Sequence, residues 1–128
     1  MEPKGKVLVV DDECLNLRLF SAVLTNAGYV VVGADNGGEA KELVPKHPDL
    51  GMIVSDLNME TRSAGIDFAR WYRATHPDSR VPIVIHTNDN GIDELREAAR
   101  GAGVTEIHPK LDNPALRDTV NRLYPKSL

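Results

Sequence analysis

The sequence predicts an α/β protein built on a doubly wound parallel sheet. Three observations carry this expectation. Five short apolar runs punctuate the chain, segments with helical spacing separate them in strict alternation, and the runs are continuous rather than alternating, as strands covered on both faces should be. The runs occupy residues 6–10, 29–33, 50–55 and 81–86, with a weaker fifth at 104–108.

Each helical segment has its own signature. Leu19, Phe20, Val23, Leu24 and Ala27 fall on one stripe, and Gly28 follows as a natural stop. Ala40, Leu43 and Val44 make a shorter stripe before Pro45, and Ile66, Phe68, Ala69 and Tyr72 make a third. Ile92, Leu95, Ala99 and Ala102 recur at three- and four-residue steps, as do Leu116, Val120 and Leu123. Asn113 is the expected N-cap of the last helix, with Pro114 in the first turn, where its missing N–H is harmless. Parallel neighbours require crossover connections, which are almost always right-handed. Five β–α units therefore fit a flavodoxin-like (βα)5 fold, a three-layer sandwich with strand order 2-1-3-4-5. A single domain over residues 1–128 is expected, with its core at about 6–123.

Composition narrows the function classes. Nineteen acidic against 15 basic residues give a formal net charge of -4, which disfavours direct, sequence-independent nucleic-acid binding. Cys14 has no partner in the chain, so an internal disulfide is excluded. Residues 1–5 lack an apolar core, and no run approaches the roughly 20 residues needed to span a bilayer. No membrane insertion and a cytoplasmic location are expected.

In open parallel sheets, ligands bind beyond the carboxyl ends of the strands. There the sequence supplies Asp11, Asp12 and Glu13 after the first strand, Asp56 and Asn58 after the third, Thr87 and Asn88 after the fourth, and Lys110 after the fifth. The first and third strands are neighbours in the expected order, so Asp11, Asp12 and Asp56 should crowd together. Like charges in one cleft are unfavourable unless a cation is shared, and an oxygen-only set suits Mg2+. Lys110 offers an ammonium and Thr87 a hydroxyl, so the edge reads as a phosphoryl site. Taken singly, each residue has a plainer use: Asp11 and Asp12 as helix cap and dipole partner, Asp56 as a turn residue, Thr87 as a cap and Lys110 as a solvated charge. Four successive strand ends suited to one task are not required by independent turn preferences. There is no Gly-x-x-x-x-Gly-Lys-Ser/Thr loop, and the acids after the first strand would repel a cofactor phosphate.

With these residues in place, the chain closely resembles the response-regulator receiver domain of two-component signalling, from about Lys6 to Leu123. The matching stretches are Val7 to Glu13, Ala27-Gly-Tyr29, Asn36-Gly37 with Glu39-Ala40, Pro48-Asp49 leading to Ser55-Asp-Leu-Asn-Met59, Gly65-Ile-Asp67, Pro82 to Thr87, and Lys110. The resemblance implies that Asp56 accepts a phosphoryl group from a phosphohistidine on a histidine kinase or histidine phosphotransfer protein. It implies that Asp12 and Asp56 bind Mg2+ directly, Asp11 through water and Asn58 through its backbone carbonyl, while Thr87 and Lys110 hold phosphoryl oxygens. It further implies a switch rather than a turnover enzyme, with a changed surface for a downstream protein target. A homodimer through the C-terminal face is among the partner options.

The sequence departs from the family pattern at several points. Ile107 stands at the usual aromatic switch position, Asn88 where a small residue is usual, and Glu60 where Pro is common, in a slightly longer loop. Lys-Pro is inverted into Pro109-Lys110-Leu111. Ile107 and Asn88 favour the alternative, a receiver-like interaction module that is not phosphorylated; the retained acids, Thr87 and Lys110 oppose it. An aspartyl phosphohydrolase ranks last, because Asp-x-Asp and a cap segment are lacking. His86 and His108 fall near adjacent strand ends, but two histidines without a third soft ligand make an incomplete metal site. Trp71 and Tyr72 are read as packing residues. Leu15 and Leu17 extend the first helix's apolar stripe, a hint of kinase docking. Asn58 and Asp89 occupy positions that tune dephosphorylation in receivers.

Overall fold

The fold is given by a computed structural model that describes residues 2–89 and 91–126; Met1 and the last two residues of the expected 1–128 domain lie outside the described residues. The elements alternate as β1 (Gly5–Val10), α1 (Cys14–Asn26), β2 (Tyr29–Ala34), α2 (Gly37–Leu43), β3 (Leu50–Asp56), α3 (Ala64–Thr75), β4 (Ile83–Thr87), α4 (Ile92–Gly101), β5 (Glu106–Pro109) and α5 (Asn113–Leu123). A single 3-10 turn, Val44–Lys46, continues α2 through Pro45. All strand pairs are parallel, in the order β2-β1-β3-β4-β5. The doubly wound flavodoxin-like arrangement is therefore present.

Side chains of successive strand residues point to opposite faces, and that period divides the core in two. Leu8 and Val10 of β1 share one layer with Ile53, Ile83, Ile85 and Ile107, closed by Ala40 of α2, Phe68 and Tyr72 of α3, and Ala99 of α4. Val7 and Val9 face the other way with Met52, Val54 and Val84, beneath Phe20 and Leu24 of α1 and Leu116 and Val120 of α5. Each helix thus buries one stripe on one side of the sheet, and every strand end is left on one rim.

Several expectations are corrected. β2 is an edge strand: only Tyr29 and Ala34 are buried, and Val30 is exposed, because no strand flanks it on one side. Leu19 is also exposed rather than part of the core stripe, whereas Leu17 packs against the core and Leu15 projects into solvent. α5 is capped by Asp112, whose carboxylate accepts from Ala115 N at 2.9 Å; Asn113 is already inside the helix. β4 begins at Ile83 rather than residue 81. The Val81 carbonyl is taken by the Arg73 guanidinium at 2.7 Å, and Pro82 has no N–H for the ladder. At the far end the last run is displaced similarly. Val104 N closes α4 on the Ala99 carbonyl and Thr105 N bonds the Ile83 carbonyl, so β5 begins at Glu106.

At the end of the sheet opposite the acids, Tyr124 fastens α5 to the strands. The pairing of β1 with β3 shifts between Lys6 and Val7, skipping Gly51. Lys6 N donates to Tyr124 Oη at 2.9 Å, so the phenol supplies an acceptor at this irregularity. A side chain on Gly51 would collide with the phenol. Tyr124→Phe keeps the ring but leaves the Lys6 N–H without this partner. We expect a loss of about 1 to 2 kcal/mol, read as a melting temperature lower by several degrees; an unchanged melting curve would show the hydrogen bond to be dispensable.

Candidate functional site

Asp11 and Asp12 follow β1 directly, and Asp56 ends β3, its neighbour. Parallel pairing without a crossing strand is what brings their carboxylates to one rim. One oxygen from each lies within 4.8 Å of the others. Among the described residues this is the group of acids, histidines or cysteines close enough to share a metal ion, and its oxygen-only donor set is that of a hard cation such as Mg2+. Asn58, two residues beyond Asp56, has a buried side-chain Oδ1 with no hydrogen-bond partner among the described residues.

The three acids differ in exposure. Asp11 is fully buried, Asp12 is exposed and Asp56 lies between. Burial of Asp11 is made tolerable by two donors: Glu13 N reaches Oδ1 at 2.9 Å, and Lys110 Nζ reaches Oδ2 at 3.1 Å. The same ammonium stands 3.7 Å from Asp56 Oδ2. Lys110 follows β5, so its side chain must cross the rim. It passes over Phe20, with Nζ 5.4 Å from the ring centroid, and its backbone N is tied to the Thr87 carbonyl at 2.8 Å. The sequence-selected Asp11, Asp12, Asp56 and Lys110 are thus brought together.

Burial pushes the Asp56 carboxyl up to about 6, reinforced by the negative charges of Asp11 and Asp12 and opposed by Lys110 and by the Leu57 N–H, which donates to Oδ1 at 2.8 Å. The strand end that carries Asp56 is also sterically fixed. Gly65 N bonds the Leu57 carbonyl at 2.9 Å, and a Cβ on Gly65 would run into the Asp56 backbone carbonyl, so α3 can start this close to Asp56 only with glycine there.

Thr87 is buried at the end of β4, and its Oγ1 accepts from Asp89 N at 3.0 Å. Asp89 in turn binds the loop after β3. Its Oδ2 accepts from Arg62 Nε at 3.1 Å and from Asn58 Nδ2 at 3.3 Å, and its Oδ1 accepts from Gly91 N at 2.7 Å. The Arg62 guanidinium, the Gly91 amide and the Asn58 amide together hold the Asp89 carboxyl down at about 2. Arg62 was not singled out by the sequence. Its partner lies 27 residues away, and no local pattern connects two loops. Glu60, a departure from the family pattern, accepts from Gly37 N at 3.1 Å and so caps α2 together with Asn36, which accepts from Glu39 N at 2.8 Å.

His86 and His108 do pair across β4 and β5, yet their rings serve separate partners. His86 Nδ1 receives Leu111 N at 3.3 Å, and burial, with Lys110 and His108 adding, pushes the imidazole down to about 3, so it stays neutral. His108 Nε2 lies 2.7 Å from Glu106 Oε1. Trp71 is partly buried and stacks on Phe68, as expected of a packing residue. Ile107 is buried in the core, and beside it α4 and β5 frame an open depression of about 390 Å3. All described peptide bonds are trans, including those around Lys110.

Comparison with known proteins gives one consistent result. The family model described as "Response regulator receiver domain" matches residues 7–121. The chain is 32% identical over 110 residues to the chemotaxis protein CheY1 of Helicobacter pylori, covering 85% of this chain and 87% of that protein. It is 33% identical over 110 residues to the CheY homolog of Campylobacter jejuni, covering 85% and 83% respectively. Among solved structures, the chemotaxis response regulator CheY4 of Vibrio cholerae superimposes with a TM-score of 0.82 at 28% identity, over 92% of this chain and 97% of that one. The response regulator TrrA of Thermotoga maritima, solved in complex with Mg(2+)-BeF, gives 0.77 at 26% identity, over 93% and 98%.

The raised Asp56 carboxyl has a thermodynamic consequence. Its folded-state value of about 6 lies above the ordinary 3.8, the reverse of a salt-bridged acid. Below about pH 4 the group is protonated folded and unfolded alike and has no effect; between about pH 4 and 6 the unfolded chain ionises while the folded pocket keeps its proton, so stability falls across that window relative to a neutral side chain and levels off above about 6. In metal-free buffer Asp56→Asn should therefore be more stable than the parent at about pH 7.5, by about 1 to 3 kcal/mol, with the gain vanishing below about pH 4. Urea denaturation of both proteins across that range measures it, and equal midpoints at every pH would contradict a desolvated carboxylate.

Proposed function

The chain belongs to the response-regulator receiver domain family, and on that premise we propose that it is a phosphorylation-dependent signalling switch whose phosphoacceptor is Asp56. The single observation that carries this reading is the meeting of three carboxylates with one lysine: Asp11, Asp12 and Asp56 share a cluster, and Lys110 Nζ stands 3.1 Å from Asp11 and 3.7 Å from Asp56.

The donor is a phosphohistidine on a histidine kinase or histidine phosphotransfer protein. An Asp56 carboxylate oxygen attacks phosphorus, the new O–P bond forms as the N–P bond breaks, and the departing imidazole nitrogen keeps the electron pair and is protonated. Asp56 must be ionised to attack, and the Lys110 ammonium favours that form. Lys110 and the Thr87 hydroxyl then hold phosphoryl oxygens, the lysine moving a short way from Asp11 toward the new anion. Asp12 and Asp56 would hold Mg2+ directly, Asp11 through water and Asn58 through its backbone carbonyl; bound there, the ion would supply charge neutralisation for the acids and the phosphoryl oxygens.

In this reading the protein works in the cytoplasm. It presents a changed surface to a downstream protein, with its C-terminal face also able to pair with a second copy, and does not act as a turnover enzyme or bind nucleic acid directly. Among the described residues no helix is long and apolar enough to cross a membrane. Phosphorylation biases an existing equilibrium between two conformations. A second reading, an interaction module that is never phosphorylated, draws on Ile107, which gives the switch position no ring to move, and on Asn88 beside the pocket.

Incubation with a small acyl-phosphate donor and Mg2+, followed by intact mass, separates the two. The switch gains one phosphoryl group, and loses that gain on chelation of the metal or in Asp56→Asn. Persistent absence of an adduct, with the donor shown active on another receiver, decides for the interaction module.

A further inference from the structure

The loop between β3 and α3 carries a cation that the chemistry described so far does not use. Arg62 reaches across to the loop after β4, with Nε 3.1 Å from Asp89 Oδ2 and Nη2 3.4 Å from Asp89 Oδ1. Both guanidinium nitrogens therefore engage one carboxylate, a two-point contact that fixes direction as well as charge. The Arg62 side chain is 72% exposed while that of Asp89 is only 11% exposed, so the arginine lies over the aspartate on its solvent side. Asp89 is the junction beneath. Its backbone N donates to Thr87 Oγ1 at 3.0 Å, and its carboxylate receives Asn58 Nδ2 at 3.3 Å and Gly91 N at 2.7 Å.

Two consequences follow from this geometry. A hydroxyl that accepts from an amide N–H still has its own proton to give, with the oxygen held in place by the amide. The Asp89 amide therefore presents Thr87 as a poised donor. In addition, Asp89 brings a fourth carboxylate to the same rim through its bonds to Thr87 and Asn58, and an incoming phosphoryl donor is itself an anion. Lys110 is engaged by Asp11. An uncompensated Asp89 would repel the donor.

We propose that Arg62 is a positioning residue for phosphoryl entry, clasping Asp89 so that the Thr87 hydroxyl stays directed and the charge of the fourth carboxylate is offset at the pocket mouth. The inference rests on the reading of Asp56 as phosphoacceptor and deepens it: Arg62 acts through Asp89 and does not touch the reacting atoms. Arg62 stands in Glu60-Thr-Arg-Ser-Ala64, between β3 and α3, and from there its side chain reaches Asp89.

The test is the rate of Mg2+-dependent phosphorylation by acetyl phosphate, followed by intact mass, for the parent, Arg62→Ala, Arg62→Lys, Asp89→Asn and the Arg62→Ala/Asp89→Asn double variant. Arg62→Ala should slow the reaction about two- to tenfold at low salt, and the deficit should shrink as salt is raised. Arg62→Lys should recover part of the rate, since it restores charge without the fork. In the Asp89→Asn background, removal of Arg62 should make no further difference. A purely structural role would instead lower the melting temperature of Arg62→Ala and slow the reaction equally at all salt concentrations, which would overturn the inference. So would an Arg62→Ala rate equal to the parent's, or an equal loss with and without Asp89. A parent protein that takes up no phosphoryl group at all overturns the phosphoacceptor reading itself, a result distinct from any of these.

Discussion

The burial of Asp11 is the constraint on which the rest of the structure turns. A carboxylate with no exposed surface, next to a second acid on the neighbouring strand, is costly unless cationic and N–H donors reach it. One donor is local, the Glu13 amide. The other is Lys110, 99 residues along the chain, and it arrives only if β5 lies where its end can send a side chain back across the rim. The strand order β2-β1-β3-β4-β5 meets that demand: β4 fills the gap between β3 and β5, and the Lys110 amide is pinned to the Thr87 carbonyl at the end of β4. Sheet topology and site electrostatics are therefore one requirement. If β5 slipped out of place, Asp11 would lose its cation and Asp56 would lose the charge that favours its ionised form.

The departures from the family pattern acquire physical meaning on this frame. Glu60, where proline is common, has an oxygen at the start of α2 and thereby ties the loop after β3 to a helix on one side of the sheet. Arg62, two residues on, ties the same loop to Asp89 in the loop after β4. The loop is anchored at both flanks by charge-assisted hydrogen bonds rather than by a rigid proline. Ile107 is buried and carries no polar handle, so the polar connections of Thr87 run through main chain to Asp89 and Lys110 instead of toward a swinging ring. The Thr87 hydroxyl is thereby bonded to Asp89, in the segment that precedes α4.

Much of the fold was legible because its determinants are periodic and local. Continuous apolar runs marked β1 and β3 well, and the stripes of α3, α4 and α5 face the core as their spacing implies. Where the reading slipped, a nonlocal neighbour had intervened. Arg73 occupies the Val81 carbonyl and delays β4, while the missing flank of β2 exposes Val30 in a run that looked fully buried. Leu17 rather than Leu19 turned out to pack against the core. The cap of α5 moved by one residue, from Asn113 to Asp112, because both are good caps and only the chain's approach to the helix chooses between them.

The sequence by itself determined which strands would be parallel, that their carboxyl ends would share one rim, and that this rim would carry Asp11, Asp12, Asp56, Thr87 and Lys110. Those follow from side-chain periodicity and from the order of elements, both readable one residue at a time. Tertiary structure alone decided that Asp11 would be buried and Asp12 exposed, that Lys110 would bridge to Asp11 while standing off Asp56, and that Arg62 would find Asp89. Those facts depend on distances between loops that are far apart in the chain, and burial, charge pairing and desolvation exist only once the distances do.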